Sequence, residues 1–529
     1  SPMSEQTTPA PAPDASRTGS HAPDPSDPVR KTPGKSALAA FLGATLEYYD
    51  FVLYGTASAL VFGHIFFPEG DPVVATVASL ATFGVAYIVR PIGGLVMSHI
   101  GDRVGRKLSL LITLMIMGLS SVAIGLLPTY QAVGAWATVL LVLCRAAQGF
   151  SAGAEAAGAS TLTMEHSPDG RRAFFTSFTM IGCSAGNVLA ALVFIPVANL
   201  PEDALYGWGW RIPFLISGVV LALAYFVRAH LDETPAFEES KETGQLQAVP
   251  AVGVLRTQGT DVLRVFLITF FSVVQSIMMV YALNYASNVV GLDRSRMLLV
   301  NAVAMAVSMA AIPLLAVLSD RVGRKPVLLV GALGCIVSVW FYFEAIHAGS
   351  WGLIFLLCIV NQGLFYSCWN AVWTVFFPEM FAAPVRYTGM AMGNQLGLVL
   401  IGFAPSIAAI IEPRFGWQGV VVFVVVSILI SCVTILSARE TAFVPQERLG
   451  GKAVQQAVQG VTQQAAERLP GGLDPSDFAT ARTASNRRAS SPGWRSAWSS
   501  SVRTRRPRAS WRRTRANAAS TRTGCASGC

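Results

Sequence analysis

Glu47 and Asp50 stand three residues apart inside an apolar run that extends from about 37 to 64. An ionisable side chain at the centre of a bilayer costs roughly 3 kcal/mol on insertion scales, so a pair of them there is a functional hypothesis in itself. On a helix this spacing puts both carboxylates on one face, with Tyr54 one turn beyond Asp50. Two carboxylates this close resist joint ionisation, and one of them then holds a proton near neutral pH, as proton-coupled chemistry requires. The competing reading is a structural pair tied to arginines or backbone groups. Arg145 lies deep in another apolar run, followed by Gln148-Gly149. Glu155 comes ten residues later, about 15 Å along a helix, and fits a structural or a functional role equally. Arg90, just before Pro91, either faces a cavity and attracts an anionic substrate or binds a neighbouring carboxylate.

The apolar runs of the second half of the chain carry almost no charge. Their polar groups are Gln275, Tyr281, Asn284, Asn361, Gln362, Asn370, Asn394 and Gln395. Amides offer donors and acceptors without charge. The asymmetry suggests protons handled by the first half through Glu47, Asp50, Arg145 and Glu155. A substrate would then be held by Tyr54, Arg90 and Arg145 together with Gln275, Tyr281, Asn361, Gln362 and Asn394. About half of such amides serve only to join helices. Neither a phosphate loop nor H-E-x-x-H is present, so no catalytic residue and no enzymatic role is expected. No cofactor or metal is expected either. Six cysteines fall inside apolar runs without C-x-x-C spacing, which suggests neither a metal site nor a disulfide framework.

The elements that position these groups are long. Of 529 residues 53% are hydrophobic and 13% charged, against about 25% charged in a typical soluble domain. Twelve apolar segments run at about 37–64, 73–99, 108–127, 133–160, 174–197, 211–229, 263–290, 297–319, 326–347, 350–377, 387–411 and 416–437. A membrane-spanning helix needs roughly 20 residues. The expected fold is therefore an all-α integral membrane protein of twelve transmembrane helices. Lys and Arg concentrate in alternate loops, which the positive-inside rule places in the cytoplasm with both termini. The expected organisation is a disordered tail over 1–36, a six-helix half over 37–229 and a central loop over 230–262. A second six-helix half over 263–437 and a basic, disordered tail over 438–529 complete it. Residues 481–529 hold 12 Arg and no Lys, Asp or Glu, so the net charge of +9 leaves 9 − 12 = −3 for residues 1–480. A nucleic-acid-binding core is not expected, and the basic tail suits anionic lipid headgroups.

The two halves carry a repeat. Gly101-Asp102-Arg103-Val104-Gly105-Arg106-Lys107 follows the second segment, and Ser319-Asp320-Arg321-Val322-Gly323-Arg324-Lys325 follows the eighth. Basic loops alone explain the charge but not a repeated D-R-V-G-R-K. A parallel duplication of six-span halves resembles the major facilitator superfamily. Further motifs narrow the resemblance. They include Glu47-Tyr48-Tyr49-Asp50-Phe51, Arg90-Pro91-Ile92-Gly93-Gly94, Glu165-His166, Gly209-Trp210-Arg211-Ile212-Pro213-Phe214, Glu233-Thr234-Pro235 and Arg386-Tyr387-Thr388-Gly389. Together these are similar to the metabolite:proton symporter family, bacterial carriers of α-ketoglutarate, citrate, shikimate and proline or betaine. Tyr48 departs from the Trp usual in that family, and Met180 from an expected Gln.

The resemblance implies a major facilitator fold and proton-driven import of a small organic acid or zwitterion by alternating access, in a bacterial cytoplasmic membrane. The partners implied are a small molecule, above all a carboxylate, with protons and membrane lipid. A uniporter or exporter on the same fold and a non-transporting sensor are the alternatives. It further implies that Arg145 pairs with Asp50, because R-x-x-Q-G matches. The repeated loops become gating latches: Asp102, Arg103 and Arg106 in the first half, Asp320, Arg321 and Arg324 in the second, with Glu379 and Arg386 as counterparts.

Overall fold

The structure is a computed structural model that describes residues 31–68, 72–242 and 250–450. The chain divides into two units, 1–455 and 456–529, and the second lies outside the described residues. No strand occurs among the described residues. A chain in lipid must satisfy its backbone groups within each segment, and the helix does so.

Among the described residues nine stretches are long and apolar enough to cross a membrane. One of them, Ala383–Ser437, holds two spans, with Gly416 at φ 66° between them. Pro33–Leu60 and Pro72–Arg103 bring the number to twelve. In order these are span 1 (Pro33–Leu60), span 2 (Pro72–Arg103), span 3 (Arg106–Leu126), span 4 (Ala135–His166), span 5 (Arg172–Val197) and span 6 (Arg211–Ala229). Span 7 (Pro250–Val289), span 8 (Ser295–Val322), span 9 (Arg324–His347), span 10 (Trp351–Glu379), span 11 (Arg386–Gly402, continuing to 415) and span 12 (416–437) follow. Large apolar side chains such as Ile88, Leu192, Val219, Leu314 and Phe415 point outward and are exposed. A polypeptide with such a surface is a multi-pass membrane protein.

The duplication extends to packing. Span 1 packs on 5, span 2 on 4 and span 3 on 6; six spans later, 7 packs on 11, 8 on 10 and 9 on 12. The halves meet where spans 2 and 4 face span 11, span 4 faces span 10, and span 5 faces span 8. In each repeated loop the glycine has positive φ, 139° at Gly105 and 110° at Gly323. L residues with a side chain rarely adopt that region, which accounts for the glycine in both copies.

Several expected boundaries move. Residues 33–36 belong to span 1 rather than to a tail, while 1–30 lie outside the described residues. The expected central loop holds a helix, Pro235–Glu242, and from Pro250 it is already helix leading into span 7, bent at Gln258. Residues 243–249 and the basic segment 451–529 lie outside the described residues. The first thirteen residues of the expected C-terminal tail, 438–450, are bonded into the protein, as described below. Their turn-forming sequence is anchored by Glu440 and Thr441, whose side chains reach buried partners.

Candidate functional site

The two acids of span 1 face different neighbours. Glu47 Oε1 pairs with Arg90 Nη2 on span 2. The Arg90 guanidinium lies over the rings of Phe51 at 4.9 Å and Tyr87 at 5.9 Å. Asp50 is fully buried. Its carboxylate accepts hydrogen bonds from Ser217 Oγ on span 6 at 2.6 Å and from Ser121 Oγ on span 3. The expected competition of two adjacent carboxylates for one proton is thereby replaced by two separate sites. A spacing of three fixes a shared face, but rotamers and neighbours decide where each carboxylate goes.

The implied direct pair of Asp50 with Arg145 also takes another form. Arg145 Nη1 donates to Gln148 Oε1 at 2.9 Å, Gln148 Nε2 donates to Ser121 Oγ at 2.6 Å, and Ser121 donates to Asp50. A relay through Gln148 and Ser121 therefore joins acid to guanidinium. Arg145 lies over Phe51 at 4.3 Å and Tyr54 at 4.2 Å, and Tyr54 Oη bonds Thr82 Oγ1 at 2.7 Å. Phe51 thus touches both arginines, and sequence reasoning missed it because an apolar ring in a span gives no signal.

Glu155 is a brace. Arg228, at the end of span 6, bonds both its carboxylate oxygens and the Leu110 carbonyl, and Thr113 adds a bond at 3.2 Å. Arg228 sits in the last turn of its helix, where it reads as an ordinary loop-side cation.

The second-half residues divide. Gln275 accepts from Tyr366 Oη at 3.2 Å. Asn361 turns to span 9, donating to Ser338 Oγ at 2.8 Å, and Gln362 donates to Asn361 at 2.9 Å. That arrangement corrects the expected substrate role of Asn361 to helix joining. Tyr281 stacks on Tyr285 with centroids 6.1 Å apart and lies beside Phe343. Gln395 bonds the Gly153 carbonyl at 2.6 Å across the halves. Buried amide atoms without a partner remain at Gln362 Oε1, Asn370 Oδ1, Asn394 Nδ2 and Gln395 Oε1. Each such atom costs about 1–3 kcal/mol unless a ligand or water satisfies it.

The nucleophile pattern G-x-S-x-G occurs twice, at Gly149-Phe150-Ser151-Ala152-Gly153 and at Gly182-Cys183-Ser184-Ala185-Gly186. Both lie inside helices, and their serines donate to the carbonyls of Thr113 and Met180. Their glycines let spans approach: a Cβ on Gly153 would stand 1.9 Å from the Arg90 carbonyl oxygen, and one on Gly182 would stand 2.3 Å from that of Phe41. These are packing devices rather than strained turns that present a nucleophile.

The repeated loops build two matching networks of buried charged groups at the end of the bundle that carries them. Asp102 accepts the N–H of Thr388 at 2.8 Å and of Tyr387 at 3.4 Å, at the start of span 11. Asp320 accepts the N–H of Ala173 and of Phe174, each at 3.0 Å, at the start of span 5. A carboxylate at a helix N-terminus satisfies orphan donors and meets the positive end of the dipole. Arg106 pairs with Asp102 at 3.2 Å and Glu165 at 3.4 Å, and Arg386 pairs with Glu165 at 2.6 Å. In the other copy Arg324 pairs with Asp320 at 2.8 Å and Glu379 at 3.1 Å, and Arg172 pairs with Glu379 at 2.8 Å. Arg103 and Arg321 are exposed and stand outside both networks, a correction to their expected gating role. The loop turns them to solvent while Arg106 and Arg324 turn inward.

Glu233 accepts the N–H groups of Arg106 at 3.0 Å and Lys107 at 3.2 Å; Glu440 does the same for Arg324 at 2.9 Å and Lys325 at 3.0 Å. Burial raises the Glu233 carboxyl above its usual range, opposed by the N–H of Thr234 and by Arg106. Sequence reasoning assigned no role to Glu165, Arg172, Glu233 or Glu440. A signal existed, since Glu-Thr recurs at 233–234 and 440–441 after the last span of each half. The C-terminal segment closes the set: Arg172 donates to the carbonyls of Thr441 and Ala442, and Gln446 donates to that of Glu165.

Comparison with known proteins agrees with this geometry. A family described as "Sugar (and other) transporter" matches residues 35–262, and the Major Facilitator Superfamily matches residues 265–518. The chain is 35% identical over 414 residues to the shikimate transporter of Escherichia coli K12, spanning 77% of this chain and 94% of that one. It is 33% identical over 421 residues to the proline/betaine transporter of the same organism, spanning 77% and 84%. Among solved structures, the proton:xylose symporter XylE bound to 6-bromo-6-deoxy-D-glucose matches with a TM-score of 0.63 at 18% identity, over 80% of this chain and 98% of that one. The inward open XylE from E. coli matches at 0.53, 18% identical, over 78% and 97%. Both show the shared fold. The chain is a transporter and not an enzyme, and it belongs to the metabolite:proton symporter family of the major facilitator superfamily.

Proposed function

We propose that this protein imports a small carboxylate-bearing metabolite, an organic acid or a zwitterion, together with protons across a bacterial cytoplasmic membrane. The observation that carries the reading is the pair of ionisable constellations inside the first half. They are Glu47 with Arg90, and Asp50 joined through Ser121 and Gln148 to Arg145. Buried ionisable groups inside a membrane are expensive and mark ion or substrate pathways. A carboxylate held by Arg gains charge-assisted, bidentate bonds that a neutral sugar cannot supply. The relatives named for shikimate and for proline and betaine support the same class, since each compound carries a carboxylate.

Energy enters through the proton gradient, so no cofactor is needed. A negative interior opposes an anion by about 2.3 kcal/mol per charge per 100 mV, and a co-transported proton cancels that opposition. The loops with Arg103, Arg106, Arg171, Arg321 and Arg324 face the cytoplasm with both termini, by the positive-inside rule. The two loop networks then act as a double latch that shuts the cytoplasmic end, and their release is the step that delivers substrate inward. Exposed apolar side chains of the spans meet lipid tails.

The test is uptake by proteoliposomes of radiolabelled dicarboxylates, citrate, shikimate, other aromatic acids, proline and betaine. Accumulation of at least one, rising as external pH falls and abolished by an uncoupler, is the expected result. Transport of a neutral sugar without competition from organic acids, or uptake indifferent to the uncoupler, overturns the proposal.

A further inference from the structure

Arg90 engages Glu47 through Nη2 alone. Its Nε, the other half of the side-on fork, is buried without a hydrogen-bond partner. The Arg90 side chain is 14% exposed and that of Glu47 3%, so the pair lies at the margin of accessible space rather than sealed like Asp50. Arg90 is 13 residues from the end of span 2 at Arg103, about 20 Å along the helix and so well inside a hydrocarbon layer of about 30 Å.

From this arrangement we infer that the substrate carboxylate replaces Glu47 on Arg90, taking the full Nε–Nη2 fork, while the displaced Glu47 carboxylate takes the co-transported proton. This inference rests on the importer reading above and assigns its coupling to one ion pair. Other charged groups keep their own partners. Arg228 is committed to Glu155 and the Leu110 carbonyl, and Arg145 is bonded to Gln148. The ionisable groups that face the pair are Glu155 and Arg228 from spans 4 and 6, Cys183 from span 5, and Tyr48 and Tyr87 from the pair's own helices; Arg145 of span 4 faces Arg90.

Charge balance makes the exchange obligatory. Empty, the site holds Glu47 carboxylate and Arg90 guanidinium and is neutral. Loaded with a carboxylate that has no cationic group, it holds a protonated Glu47 and an Arg90–carboxylate pair and is again neutral. With the proton alone it carries an unpaired cation, and with the anion alone an unpaired carboxylate. Both are penalised when the site is closed off from water. Only the neutral states pass between the two sides of the membrane, so one proton travels with each carboxylate that has no cationic group. On the inner side the substrate leaves, Glu47 gives up its proton and the ion pair re-forms. No bond other than the O–H of Glu47 is made or broken.

The experiment uses the full chain in proteoliposomes, with shikimate, a carboxylate without a cationic group, as probe and methyl shikimate as the analogue without a carboxylate. In weakly buffered medium with a pH-sensitive dye, wild-type protein is expected to take up about one proton per shikimate bound, and none with the analogue. Glu47→Gln is expected to keep exchange of labelled for unlabelled substrate. Its accumulation ratio falls to about 1 and its affinity loses dependence on pH. Arg90→Lys is expected to raise Kd on the order of tenfold, because an ammonium cannot present the fork. Binding by wild type without proton uptake, or accumulation by Glu47→Gln at the wild-type level, overturns the exchange and leaves the importer reading intact. Failure of wild type to accumulate shikimate under a proton gradient overturns the inference as well as its premise for this compound. Proton uptake by the wild type decides the matter even where Glu47→Gln folds poorly.

Discussion

The Asp102 carboxylate, in the first half of the chain, accepts the backbone N–H of Thr388 in the second at 2.8 Å. A loop residue of one half thus caps a helix of the other, and Asp320 returns the same bond to Ala173 and Phe174. Asn at position 102 keeps an acceptor oxygen but loses the charge that serves Arg106. A weakening of the closed latch by about 1–2 kcal/mol, or roughly 5–30-fold, is expected. Initial-rate uptake by Asp102→Asn should show turnover lowered several-fold with KM within about twofold of wild type. Sequence alone favours a milder effect at Asp320, since only the first loop has the leading Gly101. Both Asp320 bonds are 3.0 Å and its Arg324 contact is 2.8 Å, so Asp320→Asn should be as severe. Normal turnover with lost affinity in either variant counts against a latch.

By sequence Asp50, a mid-membrane carboxylate beside Glu47, is the acid whose amide variant is expected to abolish accumulation. With Asp50 enclosed by Ser121 and Ser217, the exchange inferred above gives that role to Glu47 instead. Hydroxyls both donate and accept, so they can turn to serve an Asn. Asp50→Asn is therefore expected to fold, to accumulate substrate at a reduced rate, and to keep the wild-type pH profile. Loss of accumulation by Asp50→Asn beside normal accumulation by Glu47→Gln reverses the assignment.

Arg145 shows why a conservative change can be severe. Its guanidinium lies over two rings and donates in-plane to Gln148. Lys keeps the charge but loses the planar stacking and the fixed fork. A cation–π contact and a charge-assisted bond together contribute on the order of 2–3 kcal/mol. Arg145→Lys should lower kcat/KM by tenfold or more at unchanged expression, and wild-type kinetics in that variant count against a positioned guanidinium.

Gly153 offers a test of packing free of charge effects. An added Cβ would meet the Arg90 carbonyl oxygen at 1.9 Å and the Gly94 nitrogen at 2.6 Å, both backbone atoms. Overpacking typically costs about 1–3 kcal/mol. Gly153→Ala should lower the thermal midpoint of the detergent-purified protein, whereas Gly34→Ala, where nothing lies within 4 Å, should not. Equal midpoints for the two variants contradict the close approach of spans 2 and 4.

Hydropathy and loop charge are local properties, and they made twelve spans, two halves and an all-helical class legible before any contact was known. The repeated D-R-V-G-R-K marked equivalent places in the two halves, and the rarity of charge in apolar runs singled out Glu47, Asp50, Arg90, Arg145 and Glu155. Partnership was another matter. Glu155 finds Arg228 73 positions away, and Asp102 finds Thr388 286 positions away. No spacing along the chain encodes such pairs, because they depend on how spans rotate and cross once packed. The same limit explains Gly149 and Gly153, whose pattern matches a nucleophile motif while their lack of Cβ admits span 2. It also explains residues 438–450: a polar, turn-rich segment reads as a tail until Glu440, Thr441 and Gln446 find acceptors and donors on two halves of a folded bundle. Burial energy belongs to the segment and is written in composition; a hydrogen bond belongs to a pair of groups and exists only after tertiary packing has brought them together.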